Sequence, residues 1–245
     1  MKLTINDFGT GLIKEKDFIY LFPDVNMDKV IYRHIEVPHL IGLLYSNKLY
    51  VSNRNSFKDM REHGKRSDIH KMFDTFTPFA KTKKDLERNQ NTVDLHNETR
   101  NLCISCWTYG EYPQGDESIL AWRTYGINRI RIETTVRKLT NSIKDLEIPV
   151  IIGPVKYDDK DCTTTIYDKV FWKHRGYQDE HELRICVLST DSHFNIKIEP
   201  QELIQKIRLS PCFNNHYREF LKTSLISRFP FLEGRIEGSN LFEFQ

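Results

Sequence analysis

The sequence predicts an α+β protein whose 245 residues form one domain around a central mixed or antiparallel sheet. Three observations predict it. Short runs of alternating apolar and polar residues recur along the chain, as in Arg129-Ile-Arg-Ile-Glu133 and Phe194-Asn-Ile-Lys-Ile198. Short helix-type stretches separate them, and neither a repeat nor a Pro/Gly/Ser-rich linker divides the chain. Hydrophobic residues make up 39% and charged residues 29%, a globular composition and not a disordered one.

Taken in order, Phe18 to Phe22 is apolar and ends at the turn signal Pro23-Asp24. Lys29 to His34 is rich in β-branched and aromatic residues and reads as a strand. His39 to Ser46 reads as a short helix, with Pro38 in its first turn and Asn47 as a left-handed stop. Lys48 to Ser52 is the next strand. From about 60 to 100 the chain is charged and poor in large aliphatic residues, which predicts a helical insertion or lid with basic clusters at residues 63–66 and 81–84.

Asn101 to Thr108 reads as a buried strand. Ser118 to Tyr125 reads as a helix, with Asp116 as N-cap and Gly126 as its stop. Arg129 to Glu133 is a strand with Ile130 and Ile132 inward, and Thr134 to Leu146 reads as a helix. Pro149 to Tyr157 gives strands broken at Gly153-Pro154, and Ile166 to Trp172 reads as helical. Glu180 to Leu188 reads as a strand. Phe194 to Ile198, the Pro200 to Gln205 helix, Lys206 to Ser210, a helix over Asn215 to Ser227 and Gly234 to Gly238 complete the pattern. Phe220, Leu221 and Leu225 form the apolar face of that last helix.

The formal charge of +2 gives no global footprint for nucleic acid. No apolar run is long enough to cross a bilayer and the N-terminus lacks a signal-peptide core, which predicts a cytoplasmic protein without a membrane partner. Five cysteines, an odd number at scattered spacing, argue against a disulfide scaffold. Cys103-Ile-Ser-Cys106 has no second ligand pair and lies on a predicted strand, where the two sulfurs diverge, so no metal site is assigned. His174 and His181 with Glu180 could pass for metal ligands, but His181 alternates away from both glutamates.

The chemical centre is Glu180-His-Glu-Leu-Arg184. On a strand, Glu180, Glu182 and Arg184 share one face. Two like charges there call for an offset, supplied by Arg184 or by a bound cation or polar ligand. The bland alternative is a surface ion pair contributing about 0–1 kcal/mol. For Arg33 the bland alternative is a pair with Glu36. For Trp107, Trp122 and Tyr125 it is a place in the core.

The order of the pieces resembles the bacterial family known as domain of unknown function 2971. The resemblance rests on Tyr32-Arg33, Leu49-Tyr50-Val51-Ser52-Asn53 with Phe57, Ser105-Cys106-Trp107, Ser118 with Trp122 and Tyr125, and Tyr177 to Arg184. It covers roughly residues 30 to 210. The middle hairpin departs from that pattern, with Gly126-Ile-Asn-Arg-Ile-Arg-Ile-Glu133 in its place. A looser resemblance is to ADP-ribosyltransferase folds. In these a strand carrying Arg or His comes first, a Ser-containing strand lies in the middle, and a Glu-bearing strand comes late.

That second resemblance implies an NAD-dependent ADP-ribosyltransferase-like enzyme, a toxin or phage-defence effector modifying protein or nucleic acid, with an antitoxin or other partner protein. Glu182 would then stabilise the oxocarbenium-like ribose, Glu180 would orient or deprotonate the acceptor, and Ser105 would hold Glu182 or the ribose. Arg33, or His34 in its place, would hold the phosphates of NAD. Ser52 would touch a ribose, and Trp122 or Tyr125 would face the nicotinamide ring. Two other readings stay open: a non-catalytic nucleotide- or partner-binding module using the same cleft, and a metal-dependent nuclease.

Overall fold

The computed structural model describes residues 4–8, 11–56, 82–83, 87, 98–99, 101–110, 117–126, 128–158 and 170–241. Most of the expected 60–100 insertion, including both basic clusters save residues 82 and 83, lies outside them.

The strands β1 (Ile13–Lys16), β2 (Ile19–Leu21), β3 (Val30–Glu36), β4 (Lys48–Asn53), β5 (Cys103–Tyr109), β6 (Arg129–Thr135) and β7 (Val150–Pro154) join one large mixed sheet. β8 (Lys156–Asp158) and β9 (Trp172–His174) form a separate short parallel pair. The large sheet is completed by β10 (Glu182–Val187), β11 (His193–Lys197), β12 (Lys206–Leu209) and β13 (Ile236–Gly238). Its main path runs β1-β2-β7-β10-β5-β3-β6-β12-β13, with β4 and β11 branching from β5. The β2–β7 and β12–β13 pairs are parallel and the other pairs antiparallel. The sheet is open and not a barrel, and it makes the protein α+β.

The α-helices with both ends among the described residues are α1 (Val37–Ser46), α2 (Ile119–Tyr125), α3 (Val136–Ser142), α4 (Pro200–Leu203) and α5 (Asn215–Arg228). α1 carries Pro38 in its first turn and stops at Asn47, whose φ of 54° and N–H bond to the Leu43 carbonyl form the expected left-handed cap. α2 is capped by Ser118, whose Oγ accepts from the Ala121 N–H at 3.3 Å; the expected cap, Asp116, lies outside the described residues. Gly126 stops α2 at φ +111°, a conformation that favours glycine. α3 ends at Ser142, earlier than the expected Leu146, because Ile143 turns to extended backbone.

Alternation gives the sheet two faces. On the first, Leu183, Ile185 and Val187 of β10 join Ile130 and Ile132 of β6 and Ile207 of β12, all fully buried. Leu40, Leu44, Leu139, Leu203, Leu221 and Leu225 from α1, α3, α4 and α5 cover them, in one apolar cluster. Each such side chain contributes about 1.5–3 kcal/mol. Phe220, expected on the apolar face of α5, is 67% exposed instead.

On the second face, Cys186, Ile104 and Ile151 pack with Phe8, Val170 and Phe171 in a smaller cluster. Gly153 on β7 brings the backbone against Phe22, whose ring lies 2.1 Å from where a Cβ would stand. Every residue of β10 is buried, so this strand runs through the interior.

Candidate functional site

The local structure around Glu180 departs from the simple strand. Arg175–Glu180 is a 3-10 helix, and His181 then takes φ 42°. β10 begins only at Glu182, so Glu180 is not the strand neighbour of Glu182. The two carboxylates nevertheless meet on one cation. Lys173 Nζ, on β9, lies 2.6 Å from Glu180 Oε2 and 2.8 Å from Glu182 Oε2. Arg184 Nε donates to Glu182 Oε1 at 2.8 Å, and its Nη1 donates to the Val170 carbonyl. The Tyr157 hydroxyl accepts from the Glu182 backbone N–H at 2.8 Å.

Glu182 is 3% exposed and Arg184 fully buried. Burial alone would push the Glu182 carboxyl up. Arg184 and Lys173 outweigh it and hold the group at about 2, so it is ionised at neutral pH. The Cys106 thiol hydrogen-bonds to Glu182. Burial, and then the Glu182 charge, push that thiol well above its usual range.

The polar character continues across the second face. The register sets Glu182 opposite Thr108, Arg184 opposite Cys106, Tyr32 opposite Glu133, His34 opposite Arg131, and Arg208 opposite both Arg131 and Glu237. Arg131 lies over the Tyr32 ring at 4.4 Å and donates to Glu133, which also accepts from Arg208 Nε at 3.1 Å. His34 meets Trp122 edge-on, with ring centroids 4.8 Å apart. Burial, followed by Arg131 and Arg129, pushes His34 down to about 3, which keeps it neutral. Trp122 is 1% exposed and donates from Nε1 to Glu117 at 3.1 Å. It is therefore a core aromatic, as Trp107 is, and offers no open face for a ring. The side chain of Tyr125 lies outside the described residues.

Ser105 and Arg33 sit on the first face. Ser105 pairs with Ile185, three residues along β5 from Thr108 and so on the side away from Glu182. Its Oγ accepts from Trp107 Nε1 at 3.1 Å. Arg33 lies 5.8 Å from the centroid of the Trp107 ring and donates from Nη2 to the Tyr50 carbonyl at 3.2 Å. The structure thus brings Arg33 and Ser105 together around Trp107, Glu180 and Glu182 around Lys173, and His34 beside Trp122. It does not bring Ser105 to Glu182. Ser52 lies on β4, 3.2 Å from the Ser56 hydroxyl.

The position of Arg33 follows from a fork. One edge of β5 pairs with β4 at Cys103 and Ile104 and with β3 at Thr108 and Tyr109. Between these contacts β3 and β4 diverge, and the Arg33 guanidinium fills the gap. Burial pushes it down to about 10, while the neighbouring Cys106 thiol raises it; it stays charged at neutral pH. Among the described residues no carboxylate pairs with it, and Glu36 bonds to Arg129 at 3.5 Å instead.

A groove of about 700 Å³ opens elsewhere, lined by Glu36, Pro38, Arg129, Cys212, Phe213 and Tyr217 among others, and includes none of the expected site residues. Among the described residues, no three His, Cys, Asp or Glu side chains are grouped to hold a metal ion, and no helix is long and apolar enough to cross a membrane. The sequence sets Lys173 with Asp179, Glu180 and Glu182 only as a poor imitation of a nuclease cluster; its place as the shared ion-pair partner of both glutamates was missed. Comparison with known proteins finds no matching family model, no matching curated protein and no matching solved structure.

Proposed function

We propose that this protein binds NAD at the fork between β3 and β4, with Arg33 holding a phosphate. One observation carries the reading: the Arg33 guanidinium is half-buried at the fork, with only a backbone carbonyl and an indole face as partners among the described residues. A partly desolvated cation without a counter-charge suits an anionic ligand, and a phosphate oxygen supplies that charge in charge-assisted hydrogen bonds.

A second reading, ADP-ribosyl transfer from that NAD, is favoured by the sheet order. The strands carrying Glu182, Ser105 and Arg33 are direct neighbours, β10-β5-β3, with Glu182 on the second face and Ser105 and Arg33 on the first, so the adjacency of the strands is what supports this reading. In this reading Lys173 is the group that yields. It already bonds to Glu180, so it can release one oxygen of Glu182 to a ribose hydroxyl and remain paired. The freed carboxylate is then available to a cationic ribose that reaches the second face.

Calorimetric titration with NAD tests both. Arg33→Ala should weaken binding about 10- to 100-fold, the range of a charge-assisted hydrogen bond. Wild-type affinity in that variant sinks the first reading. Nicotinamide release that persists in Glu182→Gln, measured on protein shown by circular dichroism to be folded, sinks the second and leaves the first standing.

A further inference from the structure

Beyond β5, the second face of the sheet changes from buried to open. β4 and β11 form its flank, and their side chains alternate cleanly: Leu49, Val51 and Ile196 enter the core, while the residues between them face out. The outward positions stand in three cross-strand pairs: Lys48 with Lys197, Tyr50 with Asn195, and Ser52 with His193. Tyr50 is 49% exposed, and its ring stacks on His193 with centroids 5.5 Å apart and planes 21° apart. Lys197 pairs with Asp145 at 2.5 Å, whereas Lys48 has no acidic partner among the described residues. The row from Lys48 to Ser52 runs about 13 Å along the strand. It carries a cation at one end, a stacked aromatic pair, and an amide and a hydroxyl that can bond to base edges.

We infer that this face binds single-stranded nucleic acid, with an unpaired base stacking on Tyr50 and His193, Asn195 and Ser52 at the base edge, and Lys48 on the phosphate backbone. Three properties select this occupant. An exposed, preassembled aromatic stack is a platform for a planar base. The free charge on the row is positive, as a phosphate backbone requires. The row is open and linear rather than a closed pocket, which suits a strand running across it. The inference stands independently of the NAD reading, since Arg33 and the Tyr50–His193 rings are different groups.

Fluorescence anisotropy with a short labelled single-stranded oligonucleotide of mixed sequence, in DNA and RNA forms, tests it. The wild-type protein should bind. Tyr50→Ala should weaken binding about tenfold or more, and Tyr50→Phe should retain it. Lys48→Ala should reduce the slope of log affinity against log salt by about 0.7. Four results overturn the inference: no binding by the wild type, equal affinity of Tyr50→Ala and wild type, a duplex binding as tightly as the single strand, or a concentration-dependent dimer in sedimentation that Tyr50→Ala abolishes. NAD binding without oligonucleotide binding removes this inference alone. Oligonucleotide binding without NAD binding removes the earlier reading alone.

Discussion

At the start of β10 the two faces of the sheet are buried to the same degree with opposite chemistry. On β10, Leu183 and Ile185 are fully buried on one face; Glu182, at 3%, and Arg184, at 0%, are buried on the other. The first face lowers the free energy simply by leaving water. The second is costly to desolvate, and is held only because each charge finds a partner: Glu182 between Arg184 and Lys173, and Glu133 between Arg131 and Arg208. A packed apolar replacement for such pairs is often as stable or more so. Stability alone therefore does not account for the charged side chains buried on this face.

The contrast can be broken most severely at Arg184. Arg184→Ala leaves Glu182 buried with one cation fewer and should cost about 3–5 kcal/mol in urea unfolding. The next effect is set by pH. The Glu182 carboxyl is held at about 2 in the folded protein against an ordinary 4.5. Its contribution is complete above pH 4.5 and is lost as pH falls from there toward 2, amounting to about 3 kcal/mol. Acid titration of the unfolding midpoint checks this, and Glu182→Gln should flatten that limb. Smallest is the aliphatic side: Ile185→Val should cost about 0.5–1.5 kcal/mol, and by the same amount at every pH. A pH-dependent loss in that variant would show that the two faces are coupled through β10.

What the sequence showed follows from period and spacing. The strands at Lys29 to His34 and Arg129 to Glu133, the helix ending at Asn47 and the inward Ile130 and Ile132 all stand in the structure. So does the pairing of Glu182 with Arg184, two residues apart on one strand face. Four features escaped. The 3-10 turn before β10 ends in a left-handed His181, and alternation carries no sign of where a strand yields to such a turn. Ser105 and Glu182 fall on opposite faces because of the β5–β10 register, and register is a property of the pair and not of either strand. The Arg33 side chain was expected either at Glu36 or at a ligand. Glu36 went to Arg129, a choice set by the β3–β6 pairing, which places these two residues opposite each other. The helical reading of Ile166 to Trp172 gave way at its end, where Trp172 opens β9.

The fork has one more consequence, and it concerns association between molecules. A sheet ordinarily exposes unpaired backbone only at its outer strands, where charged residues discourage a second chain from adding on. Here β1 fits that habit, with Lys14, Glu15 and Lys16 all exposed. The gap between β3 and β4 creates an additional rim inside the sheet, along the middle of β5, where no outer strand can stand guard. Arg33 occupies that rim and caps the Tyr50 carbonyl beside it. The residue proposed to hold a phosphate thus also stands where an added strand would otherwise pair with the middle of β5.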